Sequence, residues 1–366
     1  MDNVTHSLFA LTLARTPLGR AGRGTTAALL LASNAPDIDV VAAFRGGAAS
    51  YLQWHRGPTH GPFGVVGLGL LVAAVVWLVT RGGHRDADRP PASLPMLAAI
   101  SMVGVLFHIL MDFPTSYGTR LVSPFDWRWF AMDWLPIVDI YLLTALAAAL
   151  LFGRASPEAR RRNAVVALVL MAINYGIRAS AHHEALAIAP RLFGPTLPQR
   201  CDPQEDRPVV DFWPQRSLAT LRDPPVQRCL VELAAIPTFL SPFRWRVIAH
   251  LSNAYELHDV DLLDRTCSAA AASGAPWRTN LRFPNAWTYA VDRAAATPTA
   301  QIFLGFSRFP AARAFLDPTG AATIRWIDVR FVGGVVISDQ PVGRASPFAL
   351  TVRIAADGKM QEQLAP

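Results

Sequence analysis

Eight ionisable side chains stand in an apolar stretch that would normally exclude them: His6, Asp37, Asp39, His55, His60, His108, Asp112 and Asp139. Imidazole and carboxylate without thiolate form a hard-to-borderline donor set, suited to zinc, manganese or iron. His108 and Asp112 are four residues apart, so on a helix they share one face. Asp37 and Asp39 are two apart and would diverge on a regular helix. Pro36 just before them removes a backbone hydrogen bond and breaks or kinks a helix. Either both carboxylates turn inward at the break, or they serve different ions, or one supports a ligand from outside. His55 and His60 flank Arg56-Gly57-Pro58-Thr59, whose Gly-Pro pair fits a loop-to-helix junction. The metal candidates are therefore His6, Asp37, Asp39, His55, His60, His108 and Asp112. A divalent ion held there, zinc first and manganese second, would acidify water and polarise a phosphoryl or carbonyl oxygen. An unligated carboxylate would orient the water or take its proton, with Asp39 and Asp139 as candidates. The forked donors of Arg56 suit a phosphate or carboxylate, the alternative being an anchor at the membrane interface. Thr59, Ser116 and Tyr117 are placed to hold a ligand or a metal-binding His.

These groups must be positioned by membrane helices. The chain has 366 residues, of which 17% are charged, against about 25% in an ordinary soluble domain. The deficit lies before about residue 190, where long apolar runs alternate with short Arg-bearing loops. A bilayer core needs about 20 apolar residues per helix. Candidate spans are Thr25–Phe44, Pro62–Thr80, Ala92–Phe113, Leu135–Phe152 and Asn163–Ala181. Val4–Ala14 is apolar but short, a half-span or an interfacial helix. The start, Met-Asp-Asn-Val, lacks the positive region of a cleaved signal, so this first helix is expected to be retained.

The loops alternate in arginine. Arg15, Arg20, Arg23, Arg81, Arg85, Arg89, Arg154, Arg160, Arg161 and Arg162 fall on one side. The opposite loops hold only Arg45, Arg56, Arg120 and Arg128. The positive-inside rule makes the richer side cytoplasmic. The N-terminus and everything after residue 190 are then expected outside, in a bacterial plasma membrane. The net charge of +7 therefore reports topology, and nucleic acid is not an expected partner. Alternating direction also places every one of the eight ionisable groups at the outer end of its helix. A carboxylate within a span costs roughly 2.5–3.5 kcal/mol on insertion scales, so a one-sided cluster needs a reason. Other reasons exist: an ion path with the same Asp and His, a structural metal in a silent scaffold, or hydrogen-bonded core histidines. An ion path would carry polar groups through both membrane halves, and the cytoplasmic halves here are apolar. His182-His183-Glu184 follows the last span and is expected at the interface.

The sequence resembles the YdjM-like membrane-bound metal-dependent hydrolases. The resemblance rests on Asp2-Asn3-Val4-Thr5-His6-Ser7, Asn34-Ala35-Pro36-Asp37-Ile38-Asp39, His55-Arg56-Gly57-Pro58-Thr59-His60 and His108-Ile109-Leu110-Met111-Asp112. Pro114–Thr119, Ser123-Pro124-Phe125, Asp133 and Asp139 add to it, and together these cover residues 2 to about 145. The later half resembles the C-terminal region of longer members through Pro237-Thr238, Pro242–Arg246 and Phe306–Pro310. The family is grouped with zinc-dependent phospholipases C and single-strand nucleases, which hold zinc through His and Asp, including a His-x-x-x-Asp pair matched by His108 and Asp112. The resemblance implies a hydrolase acting on phosphoester bonds. A site at the outer interface points to a lipid or lipid-linked substrate, with the bilayer itself as partner.

The fold class expected is an all-α polytopic membrane domain of about six hydrophobic helices, the first short, followed by a mainly antiparallel β extramembrane domain. The boundaries are 1–185 for the helical domain, 186–235 for a Pro-rich linker and 236–366 for the extracytoplasmic β domain. Strands are expected over Trp245–Leu251, Gln301–Phe306, Thr323–Phe331, Gly333–Ile337 and Phe348–Ile354, where β-branched or alternating runs are bounded by turn residues. Cys201, Cys229 and Cys267 lack CxxC spacing; outside the cell they allow one disulfide and leave one thiol. No nucleophile triad or phosphate loop is visible in this half, which reads as a lid, a cap or a partner-binding module.

Overall fold

The computed structural model describes residues 1–81, 90–152, 156–192, 199–201, 209–214, 229–264, 281–285, 287–332 and 347–365. By contacts the chain divides into two units. The first holds Met1–Val41, Trp54–Ser180 and Pro237–Pro242, and the second Ala42–Gln53, Ala181–Ile236 and Phe243–Pro366.

The first unit is built from α1 (Asn3–Leu13), α2 (Thr25–Ala32), α4 (Pro62–Arg81), α5 (Leu94–Asp112), α6 (Ile140–Leu151) and the first part of α7 (Pro157–Leu192), while α3 (Ala43–Trp54) falls in the second unit as far as Gln53. Each start has a local cause. Asp2 caps α1 by accepting from the Thr5 amide at 3.0 Å, Ser93 caps α5, whose first turn contains Pro95, and Asp139 caps α6. Arg15 donates to the last carbonyls of α6, Ala149 and Leu150, at 2.7 and 2.9 Å. Arg23 does the same to Thr80 at the end of α4, at 2.6 Å. Both arginines therefore sit at the negative ends of helix dipoles. The core of this unit runs through Phe9, Leu29, Val76, Leu97, Val105, Leu142 and Leu146.

Among the described residues four helical stretches are long and apolar enough to cross a membrane: Thr25–Trp54, Pro62–Arg81, Leu94–Asp112 and Pro157–Ala189. At 1.5 Å per residue the 20 residues of α4 span about 30 Å, the thickness of the hydrocarbon core. The first stretch is not one helix. After α2 the backbone tightens into a 3-10 helix over Ala35–Ala42, and Gly46 and Gly47 leave helical geometry within α3. The break expected at Pro36 is therefore present. The short apolar helices are α1 and α6, of 11 and 12 residues.

Beside α3 and the end of α7, the second unit is a β region with two short helices. Its strands are β2 (Asp211–Trp213), β3 (Leu230–Pro237), β4 (Arg244–Leu251), β5 (Ala254–Asp261), β6 (Leu281–Pro284), β7 (Pro310–Leu316), β8 (Ala322–Asp328), β9 (Ala349–Ile354) and β10 (Met360–Leu364), the short β1 (Trp129–Ala131) lying in the first unit. One sheet has the order β3-β4-β5-β6 and the other β10-β9-β8-β7. Val247 stands opposite His258 and Ile324 opposite Val352 in antiparallel registers. Tyr255, Leu257, Phe309 and Ile327 fill one core. Trp245, Val247 and Ala249 pack on Ala181, Ala185 and Ala189 in another. Cys201 and Cys229 form a disulfide. The strands expected at Trp245–Leu251 and Phe348–Ile354 are β4 and β9, and Thr323–Phe331 is β8 ending in a 3-10 turn. The expectation for Gln301–Phe306 is corrected: these residues lie in α9 (Pro298–Phe306), which follows α8 (Tyr289–Ala295). Thr297 at the cap and Pro298 in the first turn start a helix there. Gly333–Ile337 lies outside the described residues.

Candidate metal centre

The site is assembled where the 3-10 break, the turn before α4 and the end of α5 meet. α5 comes close to α2 because residue 104 is glycine: a Cβ there would lie 2.8 Å from the Cβ of Ala32. This approach puts the Nδ1 of His108 2.8 Å from the carbonyl oxygen of Ser33. A carbonyl only accepts, so Nδ1 carries the proton and Nε2 presents a lone pair. His60 ends a 3-10 turn, Pro58–His60. Its Nδ1 lies 3.0 Å from Thr59 Oγ1 and 3.5 Å from Asp39 Oδ2. The Thr59 hydroxyl donates to Asp39 Oδ2 at 3.3 Å, so toward His60 it accepts from Nδ1, and Nε2 faces inward with its lone pair.

The two Nε2 atoms are 3.2 Å apart. Asp37 Oδ1 is 3.7 Å from that of His60 and 3.5 Å from that of His108. Asp112 Oδ2 is 3.5 Å from both. Donors held at about 2.1 Å on a tetrahedron around one ion are about 3.4 Å apart. Asp37, His60, His108 and Asp112 thus offer four ligand atoms at the spacing of a divalent site, all within 4.8 Å of one another. Arg56 Nη2, 3.1 Å from Asp112 Oδ2, and the Met1 amino group offset the charge of Asp112, but the two imidazole lone pairs facing Asp37 repel it unless a cation lies between them. His60, His108 and Asp112 have no exposed surface, and only Asp37 reaches solvent, at 17%.

The remaining predicted residues take other positions. Asp39 stands one layer out: its Oδ2 accepts from the Arg56 amide at 2.7 Å and from Thr59 at 3.3 Å, and its Oδ1 is 3.0 Å from His55 Nδ1. The two aspartates therefore do diverge, Asp37 to the four-donor cluster and Asp39 to the backs of His55 and His60. His6 stacks on His108 with centroids 3.9 Å apart, and its Nε2 is 3.3 Å from the second oxygen of Asp112. The amino group of Met1 lies against that same oxygen. Arg56 is buried, with a positive φ of 51°. Its Nη2 is 3.1 Å from Asp112, and its Nη1 donates to Gly118 O at 3.0 Å and to Thr115 at 3.3 Å. Its guanidinium also lies 4.8 Å from the centre of the Tyr117 ring.

Asp139 is not among the converging residues. Its Oδ1 caps α6, accepting from the Tyr141 and Leu142 amides at 2.9 and 3.0 Å. Its Oδ2 is 2.5 Å from Arg178 Nε and 3.3 Å from Asn174. Capping draws this carboxylate to the first turn of α6. Arg178 is a polar residue that the sequence reading does not single out, although a charge inside an apolar span is itself the signal. Ser33, Thr115 and Gly118 act mainly through backbone or hydroxyl groups and carry no such signal. His182 belongs to the second unit, against the ring of Trp245 at 5.4 Å. Outside the spans, burial pushes the Arg120 guanidinium down to about 10, still charged at neutral pH.

With this geometry in view, the family model of the YdjM inner membrane protein matches residues 1–185, which contain every residue of the cluster. The chain belongs to that family. A curated relative, the uncharacterized protein YfhP of Bacillus subtilis (strain 168), is 29% identical over 123 residues, 34% of this chain. The chain covers about a third of that relative's length, 35%. No solved structure matches. This YdjM-family chain is therefore a membrane protein with a His/Asp cluster able to hold a metal ion.

Proposed function

We propose that this protein is an integral-membrane, metal-dependent hydrolase that cleaves a phosphoester, on a lipid or lipid-linked substrate, at the outer membrane interface. The observation that carries the reading is the convergence of two unprotonated imidazole nitrogens and two carboxylates in a buried site at one end of the membrane helices. Two nitrogen and two oxygen donors suit zinc, and manganese next. An ion bound there supplies Lewis acidity to an ester oxygen and acidifies water. The chain's own residues do the rest. Asp39 fixes the rings of His55 and His60. Its link to His55 Nδ1 leaves His55 Nε2 as the basic nitrogen, placed to hold a proton with its ring 6.4 Å from that of His60. Arg56 holds Asp112 and the Thr115–Gly118 turn in place. Asp37, the partly exposed donor, marks the side from which substrate enters. The arginine-rich loops support a cytoplasmic opposite face. The Cys201–Cys229 disulfide supports an oxidising, extracytoplasmic compartment for the β region.

A second reading is a structural metal in a non-catalytic scaffold. The count of four protein donors favours it, because catalytic sites keep one position open. Elemental analysis of the detergent-purified protein, beside a His108→Ala/Asp112→Ala variant, tests the centre itself. Bound zinc or manganese lost in the folded variant is the expected result. Hydrolysis of phosphodiester and phospholipid substrates by the metal-loaded protein then separates the readings. Metal without turnover on any of them favours the scaffold. A folded protein that takes up no metal overturns both.

A further inference from the structure

The loop between α5 and α6 contains a closed hairpin. Thr119 and Phe130 exchange both backbone hydrogen bonds at 2.9 Å. Within it, the Ser123 amide donates to Arg120 O and the Phe125 amide to Val122 O, so the tip is ordered. The tip presents apolar side chains outward: Phe125 is 73% exposed, with Val122 and Trp127 exposed beside it. These are not isolated. Phe125 lies 5.4 Å from Phe63, which is 59% exposed on the first turn of the α4 span. Trp127 meets Trp54 edge-on at 5.7 Å, and Trp54 closes the first apolar stretch. Arg120 sits beneath, over Trp127 and the buried Trp129 at 5.1 and 4.4 Å. The result is an aromatic ledge continuous with the lipid-facing side of one span and the end of another. Tryptophan and phenylalanine at span ends, with an arginine behind them, are the composition of a membrane interface.

The ledge also bears on the metal centre. The hairpin lies directly on Gly61, between the donor His60 and the start of α4: a Cβ at residue 61 would fall 2.0 Å from Ser123 O. The backbone amide of Arg120 donates to Arg56 O at 3.1 Å, and Arg56 holds Asp112.

We propose that this hairpin is a membrane seat: Val122, Phe125 and Trp127, with Trp54 and Phe63, rest in the headgroup–acyl boundary of the adjacent leaflet and fix the metal centre at that depth. The occupant is phospholipid, selected by apolar area. The charge at the tip is internally balanced, since Arg128 pairs with Asp126 at 2.7 Å, and no anionic headgroup is required. The seat stands whether or not the centre hydrolyses anything.

The test uses the full-length protein in phosphatidylcholine vesicles, with a bimane label on Phe125→Cys in a Cys267→Ser background. A label on Leu71→Cys, exposed midway along α4, calibrates the bilayer centre. The Phe125→Cys label should lose most of its emission to phospholipid brominated near the headgroup and much less to lipid brominated near the acyl terminus. The Leu71→Cys label should show the reverse. Val122→Cys gives the same reading from the same tip if Phe125→Cys does not fold. Quenching by aqueous iodide with none by brominated lipid would put the tip in water and overturn the seat. Resistance to both quenchers would mean that protein covers the tip, and would overturn it equally.

Discussion

Asp37→Asn isolates the metal from the fold. Asp37 is the one partly exposed donor of the four, and its oxygen faces the imidazole nitrogens of His60 and His108, at 3.7 and 3.5 Å. An asparagine fits the same space. Its amide can donate to those lone pairs, so the metal-free variant should be at least as stable as the metal-free parent. The metal-loaded forms should differ. Binding free energies of about 10–16 kcal/mol for four-ligand zinc sites amount to about 3 kcal/mol per ligand, or about 100-fold in affinity. At free zinc about 1,000 times the parent's Kd, the ion stabilises the parent by about 4.1 kcal/mol. The variant, at about 10 times its own Kd, gains only about 1.4 kcal/mol. Thermal unfolding in detergent, with and without chelator, reads this directly. The chelator-sensitive part of the stability should shrink to about a third, and the chelated baselines should coincide or favour the variant. An unchanged chelator effect would show that Asp37 is not a ligand. A collapse of the chelated variant would show that the carboxylate serves the fold instead.

Other perturbations follow from the same contacts. Asp39→Asn removes no donor of the four but loosens His60, and should weaken metal binding about 10–100-fold in a competition titration. Gly104→Ala forces a Cβ against Ala32 and should cost about 1–3 kcal/mol in unfolding while weakening metal binding through the His108–Ser33 contact. Arg178→Ala strands the Asp139 charge in the interior and should cost about 3–5 kcal/mol, whereas Arg178→Met with Asp139→Asn, which removes the charge and keeps the cap of α6, should recover most of it, both retaining metal. Cys229→Ser opens a 28-residue loop and should destabilise the β region by about 3.5 kcal/mol on the chain-entropy account, read by its own denaturation curve.

Much of the membrane half was legible because two strong rules coincide there. Apolar length reports spans, and an ionisable group inside one needs a reason. Pro36 announced the break, and the i, i+4 spacing of His108 and Asp112 announced a shared face. What spacing could not supply is which way each carboxylate turns once the backbone leaves the helix. That depends on the Arg56 amide and Thr59 drawing Asp39 away, and on His60 and His108 facing Asp37. Nor could it reveal that Arg56 directs its fork to Asp112 and to a backbone carbonyl, since carbonyls have no sequence signature. Gln301–Phe306 shows the ambiguity of short apolar runs: six residues fit either period, and only Thr297-Pro298 argued for a helix. In the β region, β5 is recognisable only through its pairing with β4, because Glu256, His258 and Asp259 interrupt its apolar pattern.

The Arg178–Asp139 pair has a bearing on biogenesis. The 12 residues of α6 reach only about 18 Å, well short of the hydrocarbon core, and they follow a carboxylate. The next segment carries a guanidinium whose solitary transfer into lipid would cost roughly 2.5–3.5 kcal/mol. Neither segment is well suited to leave the translocon alone. Joined by a short connection, they can partition as one helical hairpin whose two charges are neutralised before either meets an acyl chain. The ion pair would then act first as a condition for insertion of α6 and α7, and only afterwards as a contact of the folded protein.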